Sequence, residues 1–329
     1  MKTKIIGLII LFILVLLAFL LSISIGVVSI PFRSIVDAFW SFDGSREQLI
    51  VRDVRLPRAL VALVVGCSLA IAGCVMQALS RNDLAGPELF GINYGAALAI
   101  VIAMFVSGSA STYLFASSAL LGAALAGIFV FLLSSLGRGA LTPIKLVIAG
   151  STMNLLLASI TQGILILNEQ SLDTIRFWLA GSLTGREMET FWKVLPIMAI
   201  GLIGGLLISK HLNIIRLGEE MAQGLGQHVF YIKALCVAVV VLLAGSSVAI
   251  AGPIGFIGLA VSHLARAIAG HDYRWTIPYA AGAGSLLLLL ADIGARFILP
   301  EQEIPVGVVT AFLGAPFLIY LAQRKERAT

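Results

Sequence analysis

The sequence predicts an all-α membrane protein, and its composition and long apolar stretches support that fold class. Hydrophobic residues make up 59% of the 329-residue chain, and charged residues only 12%. Soluble domains carry about 25% charged residues, so this chain has too few charges to cover a water-facing surface. A helix that crosses a bilayer needs about 20 mostly apolar residues, and such stretches recur along the whole chain. Lipid is therefore the solvent expected for most of these residues.

Ten apolar stretches are predicted as transmembrane helices, and we treat residues 1–329 as a single transmembrane domain. The first stretch is too long for a signal-peptide core, and no small-residue cleavage site follows it, so we expect an uncleaved span. The eighth is short and follows Gly252, Pro253 and Gly255, which predicts a half-helix behind a broken segment. The ten stretches are residues 5–30, 58–79, 91–107, 114–136, 143–167, 191–209, 229–250, 256–269, 276–296 and 306–322.

The distribution of charge predicts how the chain is oriented. With ten spans both termini lie on one side, and the larger share of the lysines and arginines falls on that side. Basic loops face the cytoplasm, so we expect a multi-pass protein of the cytoplasmic membrane with cytoplasmic N- and C-termini. The three cysteines, Cys67, Cys74 and Cys236, lie in apolar runs without the spacing of metal ligands, so no metal site is expected.

Motifs for enzymatic chemistry are missing from the sequence. It contains no G-x-x-x-x-G-K-[ST], no H-E-x-x-H and no G-x-S-x-G. We therefore predict a transport protein, not an enzyme, that binds no cofactor itself. Asp292 and Arg296 lie one helical turn apart near the outer end of the ninth span and can pair. Two energy sources stay open: a separate ATPase chain, or an ion gradient with Asp292 as the coupling site.

The loop at residues 210–228 is too polar to span a membrane and is predicted to contain a short amphipathic helix. Glu219 and Glu220 suit the N-terminus of a helix, and Gly226 suits its C-terminal end. Leu217, Met221 and Leu225 are spaced four apart, which places them on one apolar stripe. Such a stripe fits either a groove on a partner protein or the lipid headgroup layer.

Several arginines are predicted on the outer side, where the orientation rule disfavours positive charge. They suit the docking of an acidic partner, because arginine forms bidentate pairs with carboxylates. An anionic substrate, lipid phosphate, or pairing with Glu47 and Asp53 would also account for them. The set comprises Arg46, Arg52, Arg55, Arg58 and Arg296.

Two further features concern the organisation of the spans. A tight inner loop from Arg81 to Pro87 joins the second and third spans. Residues 66–73 and 245–252 match at 6 of 8 positions. On the predicted topology they run in opposite directions, which an inverted repeat would produce, although chance similarity between small-residue segments would also explain the match.

Short motifs follow one another along the chain in a fixed order. They include Arg55-Leu-Pro-Arg-Ala59, Met76-Gln-Ala78, Arg81-Asn-Asp-Leu-Ala85, Leu217-Gly-Glu219, Ala251-Gly-Pro-Ile-Gly-Phe-Ile-Gly-Leu259 and Pro305-Val-Gly-Val-Val-Thr310. In this order they resemble the FecCD family, the type II ABC import permeases for ferric siderophores, haem and vitamin B12. The resemblance covers roughly residues 10 to 322.

The resemblance implies the type II importer permease fold and a set of partners. These are a second permease, identical or paralogous, two cytoplasmic ATPase subunits that bind ATP and Mg²⁺, and an extracytoplasmic substrate-binding protein. A ferric siderophore is the expected substrate, with haem and vitamin B12 as alternatives. The residues implied are Leu217, Gly218, Glu219, Glu220, Met221, Leu225 and Gly226 for coupling to the ATPase, Arg46, Arg58 and Arg296 for docking of the binding protein, and Asn82 and Leu84 for the cytoplasmic gate.

The chain departs from the family pattern at two places. Asp83 stands where the family usually has proline, and Ser262 stands before His263 where proline is again usual. Both departures are expected to change local rigidity more than chemistry.

Overall fold

The computed structural model describes residues 2–107, 112–136, 142–166, 178–298 and 304–326. The regular elements in these ranges are helices, joined in places by a π-helical turn at Ile50–Arg55 and a 3₁₀ turn at Pro87–Phe90. The α-helices are α1 (Lys2–Ser24), α2 (Phe32–Trp40), α3 (Arg46–Leu49), α4 (Leu56–Ser80), α5 (Ile92–Ser107), α6 (Thr112–Ser135), α7 (Pro143–Ile166), α8 (Met188–Ile215), α9 (Glu219–Gly224), α10 (Val229–Ala251), α11 (Ile257–Ala269), α12 (Tyr273–Ala295) and α13 (Val306–Glu326).

The helices confirm a multi-pass membrane protein. Seven are long and apolar enough to cross a bilayer: α1, the continuous stretch Arg46–Ser80 that ends in α4, α6, α7, α8, α10 and α12. The apolar parts of α5, α11 and α13 are shorter. Each of the ten predicted stretches coincides with one of these helices. The number of spans stays a prediction, because three of the ten helices are shorter than a full crossing.

Helix α4 lies at the centre of the bundle and is buried along most of its length. It packs against α1, α8, α10, α11 and α12. Two of its glycines make the closest approaches: a Cβ on Gly66 would collide with the carbonyl of Gly284, and a Cβ on Gly73 with the carbonyl of Gly258. Lipid offers no hydrophobic drive for helices to associate, so small residues that let backbones touch are the usual solution.

Pairwise contacts fix the directions of the central helices. Arg58 of α4 bonds to Asp292 near the end of α12, whereas Gly66 meets Gly284, so α4 and α12 are antiparallel. Lys4 lies by Tyr279 and Ser22 by Arg296, so α1 runs parallel to α12. One end of the bundle therefore carries Lys4, Asp83 and Asp272, and the other carries Arg58, Asp292 and Arg296.

The direction of α10 agrees with the expectation for the repeated segments. Lys233, in the first turns of α10, pairs with Glu219, which follows the end of α8. Asn213 of α8 bonds to Asp272 at the same end of the bundle. Helix α10 therefore starts where α4 finishes, and residues 66–73 and 245–252 run in opposite directions.

The predicted break before the eighth span is present between α10 and α11. Gly252 and Phe256 both have φ of 74°, a left-handed conformation that glycine adopts freely and phenylalanine does not. The backbone is satisfied by neighbours, because the amide of Ser182 donates to the carbonyl of Ala251 at 2.9 Å and the amide of Ala260 donates to that of Phe256 at 2.9 Å. Helix α11 is thus a half-helix whose entry segment is covered by protein.

Replacing Gly73 by valine tests the close packing on α4. The added side chain would meet backbone, which cannot rotate away, so we expect a loss of about 1–3 kcal/mol in stability. Thermal unfolding in detergent, followed by tryptophan fluorescence, would report it as a lower Tm. Gly163→Val is the matched control, because a Cβ on Gly163 meets nothing within 4 Å. Equal shifts for both variants would contradict the packing argument.

Candidate functional site

A buried charge cluster lies at one end of the bundle and centres on Asp292. Its side chain is 0% exposed. Arg58 Nε donates to Asp292 Oδ1 at 2.8 Å and Oδ2 at 3.1 Å, and Arg296 Nη2 donates to Oδ2 at 2.5 Å. The predicted pairing of Asp292 with Arg296 is confirmed. Arg58 joins them from a helix far away in sequence.

The same cluster fastens the end of α1. Arg296 Nη1 donates to the carbonyls of Ser22 at 2.7 Å and Ile25 at 2.6 Å. Arg55 Nη1 donates to the carbonyls of Ile23 at 3.0 Å and Ser24 at 2.7 Å. Carbonyls in the last turn of a helix have no partner inside the helix and carry partial negative charge, so guanidinium groups stabilise them. Arginines thus hold α1 against α4 and α12.

The structure separates the three arginines predicted to dock a binding protein. Arg46 is exposed, whereas Arg58 and Arg296 are buried and bonded within the chain. Asp292 holds the guanidinium groups of Arg58 and Arg296 inside the bundle. Their part in docking stays a prediction. Arg52, from the same outer set, lies over the ring of Phe42, with 4.2 Å between its Cζ and the ring centroid.

At the opposite end, α9 occupies the segment where the short amphipathic helix was predicted. It begins after Gly218, whose φ is 119°, with Glu219 and Glu220 in its first turn. It ends before Gly226, whose φ is 78° and whose amide donates to the carbonyl of Gln223 at 2.9 Å. Positive φ at both boundary glycines explains why the helix is limited to this segment.

The apolar stripe of this segment is exposed. Leu217, Met221 and Leu225 are 62%, 58% and 59% exposed. Glu219 forms an ion pair with Lys233, a buried residue of α10. Successive residues of a helix are rotated by about 100°, so Glu219 and Met221 point to nearly opposite sides. The ion pair therefore turns the stripe away from the bundle.

The inner loop after α4 holds the two residues predicted for the gate. Arg81 is left-handed, with φ of 50°. Asn82 Oδ1 accepts a hydrogen bond from the amide of Leu84 at 3.0 Å, and the carbonyl of Asn82 accepts one from the amide of Ala85 at 3.0 Å. Both Asn82 and Leu84 are exposed. Asp83, between them, forms an ion pair with Arg266 of α11, with Oδ1 and Nη2 3.4 Å apart.

Sequence reasoning missed several charged residues of these sites. The sequence alone gave no role to Arg266 or Lys233, and Asp83 was noted only as a departure from the family pattern. Each of these residues meets its partner only because separate segments of the chain pack together. The spacing of residues along one helix predicted the pair of Asp292 and Arg296, but it cannot predict a partner on another segment.

Asp272 shows how a loop carboxylate joins two helices at the end of the bundle that carries α9. Its side chain caps α12 by accepting from the amide of Arg274 at 3.0 Å, and it accepts from Asn213 Nδ2 of α8 at 2.7 Å. Partial burial raises the pKa of Asp272, but these hydrogen bonds and the nearby cations outweigh burial and leave the pKa below its ordinary value.

Asp272→Ala is expected to cost about 1 kcal/mol through loss of the cap. Asp272→Asn keeps an acceptor and removes only the charge. Because the folded pKa is depressed, the charge stabilises the protein above the unfolded pKa of about 3.9, and this stabilisation is lost as the pH falls through the folded pKa. The difference in Tm between wild type and Asp272→Asn should therefore shrink below about pH 4. A constant difference would contradict the assignment.

Asp292→Asn tests the outer cluster. The change leaves Arg58 and Arg296 as buried charges without a carboxylate, which costs about 3–5 kcal/mol. Asp37→Asn is the matched control, because Asp37 pairs with Arg33 at 3.7 Å on an exposed face, where an ion pair contributes about 0–1 kcal/mol. Thermal unfolding in detergent would compare the two. A small loss for Asp292→Asn would show that the arginines are satisfied without it.

The described helices form a bundle that crosses the membrane several times, and a short amphipathic helix is exposed at one end of it. Residues 13–324 match the FecCD transport family. Bacillus subtilis has a relative named "Probable siderophore transport system permease protein YfiZ", 46% identical over 92% of this chain and 91% of that protein. The Escherichia coli ferric enterobactin transport system permease protein FepD is 41% identical over 96% of this chain and 95% of its own.

A solved structure gives the same result. A protein described as a metal-chelate type ABC transporter, in an inward-facing conformation, superposes with a TM-score of 0.85 at 28% identity, over 96% of this chain and 98% of that chain. The present chain belongs to the FecCD transport family. It is a permease subunit of an ABC importer and not an enzyme.

Proposed function

We propose that this permease carries a ferric siderophore across the cytoplasmic membrane. The relatives that it matches over nine-tenths of their length are named for siderophores, Fe(3+)-citrate and ferric enterobactin. The match at 46% identity is the observation that carries the proposal. Haem and vitamin B12 remain the alternatives within the family.

The cytoplasmic side is assigned to the end of the bundle that carries α9. The start of α1, the loop at residues 81–87, α9 and the start of α12 share this end, and Lys2, Lys4, Arg81, Arg216 and Arg274 lie there. Their charge supports a cytoplasmic location, with the N-terminus and the C-terminus inside.

The conformational change of the ATPase would be transmitted to the permease through α9. An ATPase subunit would bind the stripe of Leu217, Met221 and Leu225 in an apolar groove. Exposed apolar patches of this kind commonly mark the site where another protein binds. Glu219, bound to Lys233, would pass the motion of α9 to α10 as a rigid-body shift. ATP and Mg²⁺ would be bound by the ATPase, and this chain would bind no cofactor.

The remaining partners follow the same division between the two ends. A second permease, identical or paralogous, would complete the pathway, and a substrate-binding protein would dock on the outer side. Arg46 is exposed and could pair directly with an acidic residue of the binding protein. Arg58 and Arg296 could do so only after breaking their bonds to Asp292. On the inner side Asn82 and Leu84, exposed on one short loop, would form the gate.

The alternative is an ion-coupled carrier that uses Asp292. The geometry disfavours it, because each oxygen of Asp292 already accepts from a guanidinium group. A coupling carboxylate must expose an oxygen to the ion that it binds and releases. A permease of an ABC importer needs no such ion-binding carboxylate.

Met221→Asp tests the ATPase contact. Glu219→Lys would also break the pair with Lys233, so a change confined to the stripe is the sharper probe. A charge placed in the apolar contact should lower recovery of the ATPase with the tagged permease about tenfold or more. Gln223→Asp, exposed on the same helix but outside the stripe, is the matched control and should leave recovery unchanged.

Transport itself decides between the two energy sources. Proteoliposomes that hold the purified complex should take up radiolabelled iron as its siderophore only when ATP is supplied, and Met221→Asp should abolish that uptake. Uptake driven by an ion gradient without ATP would overturn the proposal in favour of a secondary carrier. Transport of haem or cobalamin in place of the siderophore would change only the substrate.

A further inference from the structure

The cytoplasmic loop after α4 and the half-helix α11 are joined by the ion pair of Asp83 and Arg266. Helix α11 runs parallel to the inner half of α4, and Ser262 Oγ lies 3.2 Å from Cys74 Sγ along that contact. One turn later along α11, Arg266 reaches past the end of α4 to Asp83. This contact therefore connects α11 to the loop and not to the helix.

Arg266 depends on this contact. The residue is 8% exposed, and both terminal nitrogens lack a hydrogen-bond acceptor within the described residues. Asp83 Oδ1, 3.4 Å from Nη2, is the carboxylate that the structure pairs with it. A buried guanidinium needs a counter-charge or acceptors. Arg266 thus favours any arrangement that keeps Asp83 beside it.

Hydrogen bonds join the residues on either side of Asp83. Asn82 Oδ1 accepts from the amide of Leu84, which closes a short turn around Asp83. The amide of Asn82 also donates to Ser80 Oγ at 3.3 Å, which anchors the start of the loop to the end of α4. A displacement of Asp83 would therefore turn Asn82 and Leu84 about this anchor.

Helix α11 is built to shift relative to α4. It follows the unwound segment at residues 252–256, and Phe256 at its start is held at φ of 74°. Strained positions of this kind are concentrated in switch regions. Gly258 rests closely on Gly73 of α4 near this start, and further along α11 the contact with α4 is made by Ser262 and Cys74. A half-helix with a strained entry that is held near its start can pivot there as a rigid body, which moves its far end with Arg266.

We propose that Asp83 and Arg266 are positioning residues that tie the gate loop to α11, so that a shift of α11 moves Asn82 and Leu84. The inference rests on the proposed function, because the role of the loop as a gate is part of it. Without the ion pair the loop would separate from α11, and the inner end of the pathway would open independently of the position of α11.

Accessibility of Leu84→Cys measures this coupling. Inside-out vesicles that hold the whole complex are treated with a membrane-impermeant maleimide, which does not reach Cys67, Cys74 or Cys236 within the helices. Adding Asp83→Asn should raise the labelling rate about fivefold, the size of effect expected for a partly exposed ion pair. Glu88→Gln, which removes a carboxylate from the 3₁₀ turn that follows the loop, is the matched control and should leave the rate unchanged.

Charge reversal separates positioning from simple stability. Asp83→Arg alone should label fast, and Asp83→Arg with Arg266→Asp should return to within about twofold of the wild-type rate, because the attraction is restored with its sign reversed. Asp83→Glu, which keeps the charge, gives a second rescue that leaves the buried residue untouched. Asp83→Asn should also raise ATP hydrolysis in the absence of substrate.

The outcomes distinguish the two proposals. The unmutated permease must first co-purify with the ATPase and show ATP-driven uptake; failure there counts against the proposed function. If it does both, an unchanged labelling rate on adding Asp83→Asn to Leu84→Cys overturns the positioning role. Fast labelling that Asp83→Glu does not reverse also overturns it, because the effect would then come from disturbing the loop and not from losing the charge.

Discussion

The close backbone contact of α4 with its neighbours is the constraint on which the rest of the structure depends. Gly66 rests on Gly284 of α12, and Gly73 rests on Gly258 of α11. Because lipid does not drive helices together, these contacts supply both the proximity and the register. The register of α12 brings Arg58 opposite Asp292, and that of α11 brings Asp83 opposite Arg266. The charged contacts at the two ends of the bundle therefore follow from glycines near its middle.

The two ends are built differently. At one end Asp292 is fully buried and both its oxygens are bonded, while arginines also cap the carbonyls of α1. Such a cluster of paired charges resists rearrangement, since a departure from it strands a buried charge. At the end that carries α9, Arg266 has one carboxylate at 3.4 Å, and its two terminal nitrogens have no hydrogen-bond acceptor within the described part of the chain. The Asp292 end is suited to hold helices together, and the α9 end to let one of them shift.

Local sequence pattern was sufficient for the long apolar helices, for the break at Gly252 to Gly255 and for the limits of α9, because length, apolar composition and glycine act within a few residues. It did not predict the short helices α2 and α3. It also gave the pairing of Asp292 with Arg296, which needs only helical spacing. It did not identify the partner of Arg58, because the carboxylate of Asp292 lies 234 residues away and only packing brings the two together. The same reason hid the partners of Lys233 and Arg266.

The position of Glu219 matters for the proposed transmission of motion through a six-residue helix. A short helix in water is only marginally stable on its own, because the free-energy cost of helix nucleation exceeds the gain from the hydrogen bonds of a few turns. Helix α9 is limited by the glycines at its boundaries and is held by the ion pair of Glu219 with the buried Lys233, which fixes one face of α9 to α10. The other face, with Met221, is left apolar and exposed. In the proposed coupling, a push on that face would not be absorbed by rotation of α9, because rotation would pull Glu219 from a buried cation. The displacement would pass instead to α10, which contacts α4 directly.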